Sequence, residues 1–390
     1  MSLQQSVDTI LQDAIERGDV PGVVAMATDR EGVIYEGGFG ERLLGSGSAM
    51  TPDTVVWIAS MTKALTAAAA MQLVEQRKLH LNRPASNVLP HLAEVQVLEG
   101  FDAEGAPRTR PAAGPITLRH LLTHTAGFGY EIWNEDIGRY QEALGLPGVI
   151  SCENAALETP LLFDPGERWN YGINIDWVGK MVEAVSGQKL GACLTDNIFA
   201  PLGMDSTAFK LTDDMRGRMA QVHQRDEDDR LAPIEFEIPQ EPEFEMGGGG
   251  LYSTVGDYLI FVRMMLNQGR SDDGAALLQP ETVELMSTNQ MGDCRVGALK
   301  TVMASLSNDA EFFPGMPKTW GLSFMINTEQ APTGRSAGSL AWAGLANSYY
   351  WIDPQRGVGG VFATQMLPFA DKKALPLFFA FEKAIYDALR

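Results

Sequence analysis

The sequence predicts an α/β fold in which both chain ends build one antiparallel sheet, flanked by helices, with a mainly helical region inserted between them. Three observations carry this expectation. VPGVVAMATDREGVIYEGGFGERL, residues 20–43, alternates apolar runs with turn residues. A second set of short apolar runs separated by turns begins after residue 318. Between about residues 60 and 245 apolar residues recur at three and four spacing, the helical period. The expected division is therefore 1–59 with 246–390 as the α/β part and 60–245 as the helical part.

Taken in order, MSLQQSVDTILQDAIERGDVPG reads as an amphipathic helix. It lacks the basic and apolar regions of a secretory leader, so the mature chain is expected to begin here. The hairpin of residues 20–43 follows, with Asp29, Glu31 and Gly32 as its turn. IASMTKALTAAAAMQLVEQ, residues 58–76, is an alanine-rich amphipathic helix. ITLRHLLTHTAGF, NIDWVGKMVEAVSG and LGACLTDNIFAPLGM continue the helical period with Gly or Pro stops. Gln224 to Glu245 is acidic and proline-bearing, and reads as a loop or irregular surface excursion. GGGGLYSTVGDYLIFVRMMLNQG opens a new helix, and without a following Lys-Ser or Lys-Thr pair its glycines do not form a phosphate loop. KTWGLSFMI, GSLAWAGLANSYYWIDP and GVGGVFATQM are short strands, and LPLFFAFEKAIYDALR is a closing helix. No repeat of 20 to 50 residues is visible.

Composition narrows the function. The 390 residues, 45% hydrophobic, suffice for one large domain or two intimately packed ones. Fifty acidic against 30 basic residues leave a formal charge of -20, which repels a phosphate backbone and argues against nucleic acid as a partner. No apolar run approaches the roughly 20 residues that span a bilayer, so no membrane partner is expected. Cys152, Cys193 and Cys294 offer neither a disulfide framework nor a metal spacing, and a reducing cytoplasm is the expected location.

The candidate chemistry starts at Ser60 and Lys63. Residues i and i+3 of a helix share a face, with Cβ atoms about 5–6 Å apart, so hydroxyl and amine can meet. Apolar surroundings favour the neutral amine, a proton acceptor. The helix start also offers free N–H groups to an oxyanion. Tyr171, in WNYGINIDWVG, sits in a turn before a helical run and could relay a proton. In SLAWAGLANSYYWIDP the small Ala343 and Gly344 allow close backbone approach, and the Leu345 N–H could complete an oxyanion hole with that of Ser60. Each feature alone is better explained by a bland reading: a capped helix, a core tyrosine, a plain strand.

In this order and separation, the three segments resemble the serine β-lactamase and penicillin-binding-protein superfamily. Within it they look like the family VIII carboxylesterases and the related fungal acyltransferases that act on statin precursors. ITLRHLLTHTAGF and PLGMDSTAF (residues 201–209) are similar to segments of these esterases and of class C β-lactamases, and the likeness runs from about residue 20 to the closing helix. The resemblance implies a β-lactamase-like fold with the active site in the cleft between the two parts. It implies Ser60 as nucleophile, Lys63 as its activator and Tyr171 as base and acid partner. Trp342, Ala343 and Gly344 stand where β-lactamases carry Lys-Thr-Gly.

Two departures favour neutral, apolar esters. Trp342 removes the cation that would meet a β-lactam carboxylate. Asparagine stands at position 174, leaving Ile173 two residues after the tyrosine. The expected function is a serine carboxylesterase for short-to-medium acyl or aryl esters, working through a Ser60 acyl-enzyme. Acyl transfer, β-lactam or D-amino-acid peptide hydrolysis, and a non-catalytic binding role are the alternatives. Aromatic walls are expected from Phe128, Tyr130, Trp133, Trp169 and Tyr252, with Trp342. No cofactor or metal is expected: His120 and His124 are four apart, but Leu121 stands where a zinc motif needs glutamate. GxSxG is absent. The partner is a small-molecule ester, and the oligomeric state stays open.

Overall fold

The computed structural model describes residues 2–389. The first helix, Leu3–Glu16, is started by a reciprocal cap: Ser2 Oγ accepts from the Gln5 N–H and Gln5 Oε1 accepts from the Ser2 N–H, both at 3.2 Å. Its buried face is Val7, Leu11 and Ala14, at helical spacing. The predicted hairpin is β1 (Gly22–Thr28) and β2 (Val33–Gly40). After β3 (Val55–Trp57) comes the alanine-rich helix Thr62–Glu75.

That helix departs from the amphipathic reading. Every residue from Thr62 to Met71 is buried. Its run of alanines lets neighbouring segments close on it from all sides, making it the central post of the molecule rather than a surface helix.

The middle of the chain is less purely helical than its period suggests. Helices Leu118–Leu122, Glu135–Leu144 and Asn174–Ser186 are present. So is a hairpin of β4 (Gln96–Phe101) and β5 (Pro107–Pro111), whose sequence PRTRP is half-exposed or exposed throughout and carries no apolar alternation. The acidic segment is irregular for most of its length, but its first part pairs β6 (His223–Arg225) with β7 (Leu231–Pro233). Next, β8 (Tyr252–Thr254) pairs with β3 and leads into helix Val255–Leu266, capped by Thr254 Oγ1 accepting from the Asp257 N–H.

The last part supplies β9 (Lys318–Trp320), β10 (Met325–Asn327), β11 (Leu340–Gly344), β12 (Ser348–Asp353) and β13 (Val358–Ala363), then β14 (Met366–Leu367) beside β6. The main sheet is antiparallel, in the order β2-β1-β13-β12-β11-β10-β9. The two chain ends meet where β1 pairs with β13, Val24 opposite Ala363. Strands β1 and β11 to β13 are buried along their whole length, because helices cover both faces. Helix Val255–Leu266 packs on β1, β12 and β13. The closing helix, Ala374–Ala388, sets Phe378 and Phe381 against Trp351 and Phe362 and lies beside the first helix. A buried ion pair fastens it: Arg335 donates to both oxygens of Glu382 at 2.7 and 2.6 Å, and Thr333 adds a third bond at 2.8 Å.

Candidate active site

The chain enters the site along β3, whose last residue is clamped by one side chain: the Gln365 amide accepts from the Trp57 N–H at 2.9 Å and donates to its C=O at 3.1 Å. The next residues turn sharply, with Ala59 at φ +44, into the single 3₁₀ turn Ala59–Met61 that carries Ser60. Positive φ at a residue with a Cβ costs on the order of 1 kcal/mol or more, and here surrounding bonds enforce it. Ile58 N–H donates to Leu251 C=O, and the Tyr258 hydroxyl donates to Met61 C=O at 2.9 Å. Ser60 is thereby left half-exposed at the cleft floor.

Lys63 is 1% exposed, and its three donors are used: Ser60 Oγ at 3.0 Å, Tyr130 Oη at 3.1 Å and Gly248 C=O at 2.6 Å. Burial pushes its pKa below the ordinary lysine value, opposed by the negative charge of Asp176. Asp176 comes from helix Asn174–Ser186 and is fully buried; its Oδ1 accepts from the Gly248 N–H at 2.8 Å. Burial raises its pKa, while Lys63, that N–H and the nearby Tyr130 hydroxyl hold it down. Gly248 thus bonds Lys63 through its carbonyl and Asp176 through its amide. A Cβ there would stand 2.6 Å from Asp176 Oδ2.

Tyr171 completes the group. Its hydroxyl accepts from Trp342 Nε1–H at 2.9 Å and lies close enough to the Ser60 side chain to interact with it, and its ring lies 4.7 Å from Lys63 Nζ. Burial raises its pKa, partly offset by the Ser60 and Trp342 hydrogen bonds. The expected trio Ser60, Lys63 and Tyr171 is therefore brought together. Trp342, expected only as a wall, is a donor to the tyrosine. Asn174 faces away from Ser60, its amide meeting His124 Nδ1 at 3.0 Å. His124 is buried and held neutral by burial and by the Lys63 charge; His120 serves the Thr117 helix cap. Among the described residues no cluster of three or more His, Cys, Asp or Glu could hold a metal ion.

Strand β11 forms the opposite wall. A Cβ on Gly344 would meet Ile58 O at 2.3 Å, so only glycine lets this strand run against the turn that carries Ser60. Ser60, Trp133 and Leu345 border two joined lobes. One is lined by Trp57, Tyr130, Ile132, Val149, Ile150 and Met246. The other is lined by Tyr171, Leu299, Trp342, Ala343, Gly344 and Phe369.

Three expected wall residues stand behind the cleft instead. Phe128 is fully buried against Trp177, its ring stacked at 6.2 Å. Trp169 backs the Tyr171 ring and touches Trp320. Tyr252 lies in β8, its hydroxyl accepting from the Ile238 N–H at 2.9 Å. Each fills a space between secondary-structure elements, which single-sequence reading cannot tell from a cleft. Conversely, Trp57, Asp176 and Gly248 were missed. Asp176 had a signal, a carboxylate on a largely apolar helical run five residues after Tyr171. Trp57 had none.

The profile of the Beta-lactamase family matches residues 7–379. Monacolin J acid methylbutanoyltransferase from Aspergillus terreus is 34% identical, over 97% of this chain and 95% of its own length. Lovastatin esterase from Penicillium rubens is 32% identical over 92% of each. Among solved structures, a variant of the simvastatin synthase from Aspergillus terreus superposes with a TM-score of 0.84 at 33% identity, covering 98% of this chain and 96% of that one.

Proposed function

The chain belongs to the Beta-lactamase family, and from that premise we propose that it is a serine carboxylesterase for short-to-medium acyl or aryl esters, working through an acyl-enzyme on Ser60. The observation that carries the reading is the buried Lys63 amine 3.0 Å from Ser60 Oγ, with the Tyr171 ring 4.7 Å from that amine and its hydroxyl beside the serine. In its neutral form Lys63 keeps its two N–H groups on Tyr130 and Gly248, and its lone pair takes the Ser60 proton as Oγ attacks the ester carbonyl. The N–H groups of Ser60 and Leu345 receive the oxyanion, each contributing on the order of 3 kcal/mol to the transition state. Tyr171 protonates the departing alkoxide. Water then attacks the acyl-enzyme by the reverse proton path.

Trp342 supports a neutral substrate. It supplies a donor but no charge where a β-lactam carboxylate would need a cation. Acyl transfer is the second reading, favoured by the name of the methylbutanoyltransferase relative and sharing every step up to the acyl-enzyme. A small-molecule ester is the proposed partner. No helix among the described residues is long and apolar enough to cross a membrane. The three free cysteines support a cytoplasmic setting.

The test is hydrolysis of p-nitrophenyl butyrate together with mass spectrometry after a fluorophosphonate probe, on wild type and Ser60→Ala. Turnover and one adduct on Ser60, both abolished by the substitution, are expected. A wild type that neither turns over nor takes an adduct would overturn the proposal. Adding an alcohol acceptor and measuring the ester formed separates hydrolysis from transfer.

A further inference from the structure

Ser60 stands where the two lobes of the cleft meet. Tyr171 edges only one of them, so an alkoxide that collects its proton from Tyr171 departs on that side. The acyl chain is left to the other lobe, which is walled by Ile132, Val149, Ile150 and Met246 and which Trp57 also lines. The space there open to the centre of a water molecule is about 40 Å³. That is room for roughly three waters, or an acyl chain of about four carbons.

Behind the Trp57 indole lies a much larger space. The Phe236 ring packs on it with centroids 4.6 Å apart and planes tilted by 41°. Phe236 in turn lines an outer groove of about 560 Å³, with Arg42, Arg216 and Met219. Two aromatic rings therefore separate the small lobe from a groove more than ten times its volume. The inner ring is fixed: Trp57 Nε1 donates to Gly249 C=O at 2.7 Å, and its backbone is held by Gln365 and by pairing with Tyr252.

We infer that Trp57 is the acyl-length stop of this enzyme, closing the acyl lobe against the outer groove and restricting it to short acyl groups. The inference rests on the acyl-enzyme reading above and adds the substrate class: esters of compact acids of about four carbons or fewer. A longer chain meets the indole, and the first methylene that finds no room costs roughly tenfold or more in kcat/KM. Phe236 alone does not set the limit, because it stands on the far side of the indole.

The experiment uses p-nitrophenyl esters of acetate, butanoate, hexanoate, octanoate and decanoate, so that only the acyl chain varies. Wild type is expected to fall at least tenfold in kcat/KM between butanoate and octanoate. In Trp57→Ala the octanoate-to-butanoate ratio should rise at least tenfold, in Trp57→Phe by less in the same direction, and in Phe236→Ala hardly at all. Fluorophosphonate labelling of Ser60 in each variant verifies that the site is assembled. Wild type turning over octanoate as fast as butanoate overturns the inference without any variant. So does a labelled Trp57→Phe or Trp57→Ala with the wild-type profile, or one altered only when the alcohol is varied at constant butanoyl. A wild type inert to all five esters, with no Ser60 adduct, overturns the acyl-enzyme reading and takes this inference with it.

Discussion

Replacing Trp342 by phenylalanine removes the hydrogen bond to Tyr171 and leaves the smaller ring in its packed site. The indole N–H donates to the Tyr171 hydroxyl at 2.9 Å inside a fully buried aromatic cluster, with the Tyr171 and Trp320 rings 4.9 and 4.6 Å away. A neutral hydrogen bond of this kind contributes about 0.5–1.5 kcal/mol, and one to a charged oxygen about 1.5–3 kcal/mol. The difference between the midpoints, about 1.25 kcal/mol, is the preference for a negatively charged tyrosine oxygen that the substitution abolishes. It corresponds to about tenfold in rate. The sign is clear: burial has already raised the Tyr171 pKa, the indole bond lowers it, and losing that bond raises it further. Because that pKa stays above the assay range, kcat/KM should fall by about the same tenfold at every pH, with no new titration. The assay is the pH profile of ethyl butyrate hydrolysis, followed by acid release, because its alkoxide must collect a proton to depart. The smaller ring also leaves a cavity costing about 1–3 kcal/mol of stability, read separately by urea unfolding. A loss below twofold in the folded variant, or one confined to KM, would refute the argument and leave Trp342 as wall alone.

Asp176→Asn removes the charge that raises the Lys63 pKa, so Lys63 becomes neutral more easily. If neutral amine is the base, the acidic limb of kcat/KM moves to lower pH, by about one unit or more; a fixed limb, or one moved to higher pH, sinks the assignment. Glu382→Gln breaks a doubly bonded ion pair in which Arg335 is 2% and Glu382 0% exposed. It should cost about 3–5 kcal/mol in urea unfolding, because Arg335 is left charged and uncompensated, while Ser60 labelling of the remaining folded protein keeps its rate. Unchanged unfolding would show that the pair adds nothing to stability.

The chemistry of this chain was legible where it is local. Ser60 and Lys63 meet because they are one helical turn apart, and β1 with β2 could be read from alternation around a turn at Asp29. Tyr171 and the strand ending at Gly344 were found only as members of an ordered set, since each alone looks like packing. What escaped reading depends on tertiary position. Phe128 and Tyr130 are two residues apart on one loop, yet the first is core against Trp177 and the second a partner of Lys63. The hairpin at Gln96–Pro111 packs too little apolar surface to leave a period. The post-like burial of Thr62–Glu75 depends on what surrounds it, and alanines carry almost no signal of that.

The pairing of β1 with β13 bears on how the protein is made. Ser60 leaves the ribosome early, but Leu345 and the strand that closes on the nucleophile turn arrive only after most of the chain has been synthesised. The pairing of Val24 with Ala363 spans most of the chain, a long-range contact of the kind that forms slowly. The Ser60 turn and the strand that packs on it therefore meet only once the last third of the chain is present.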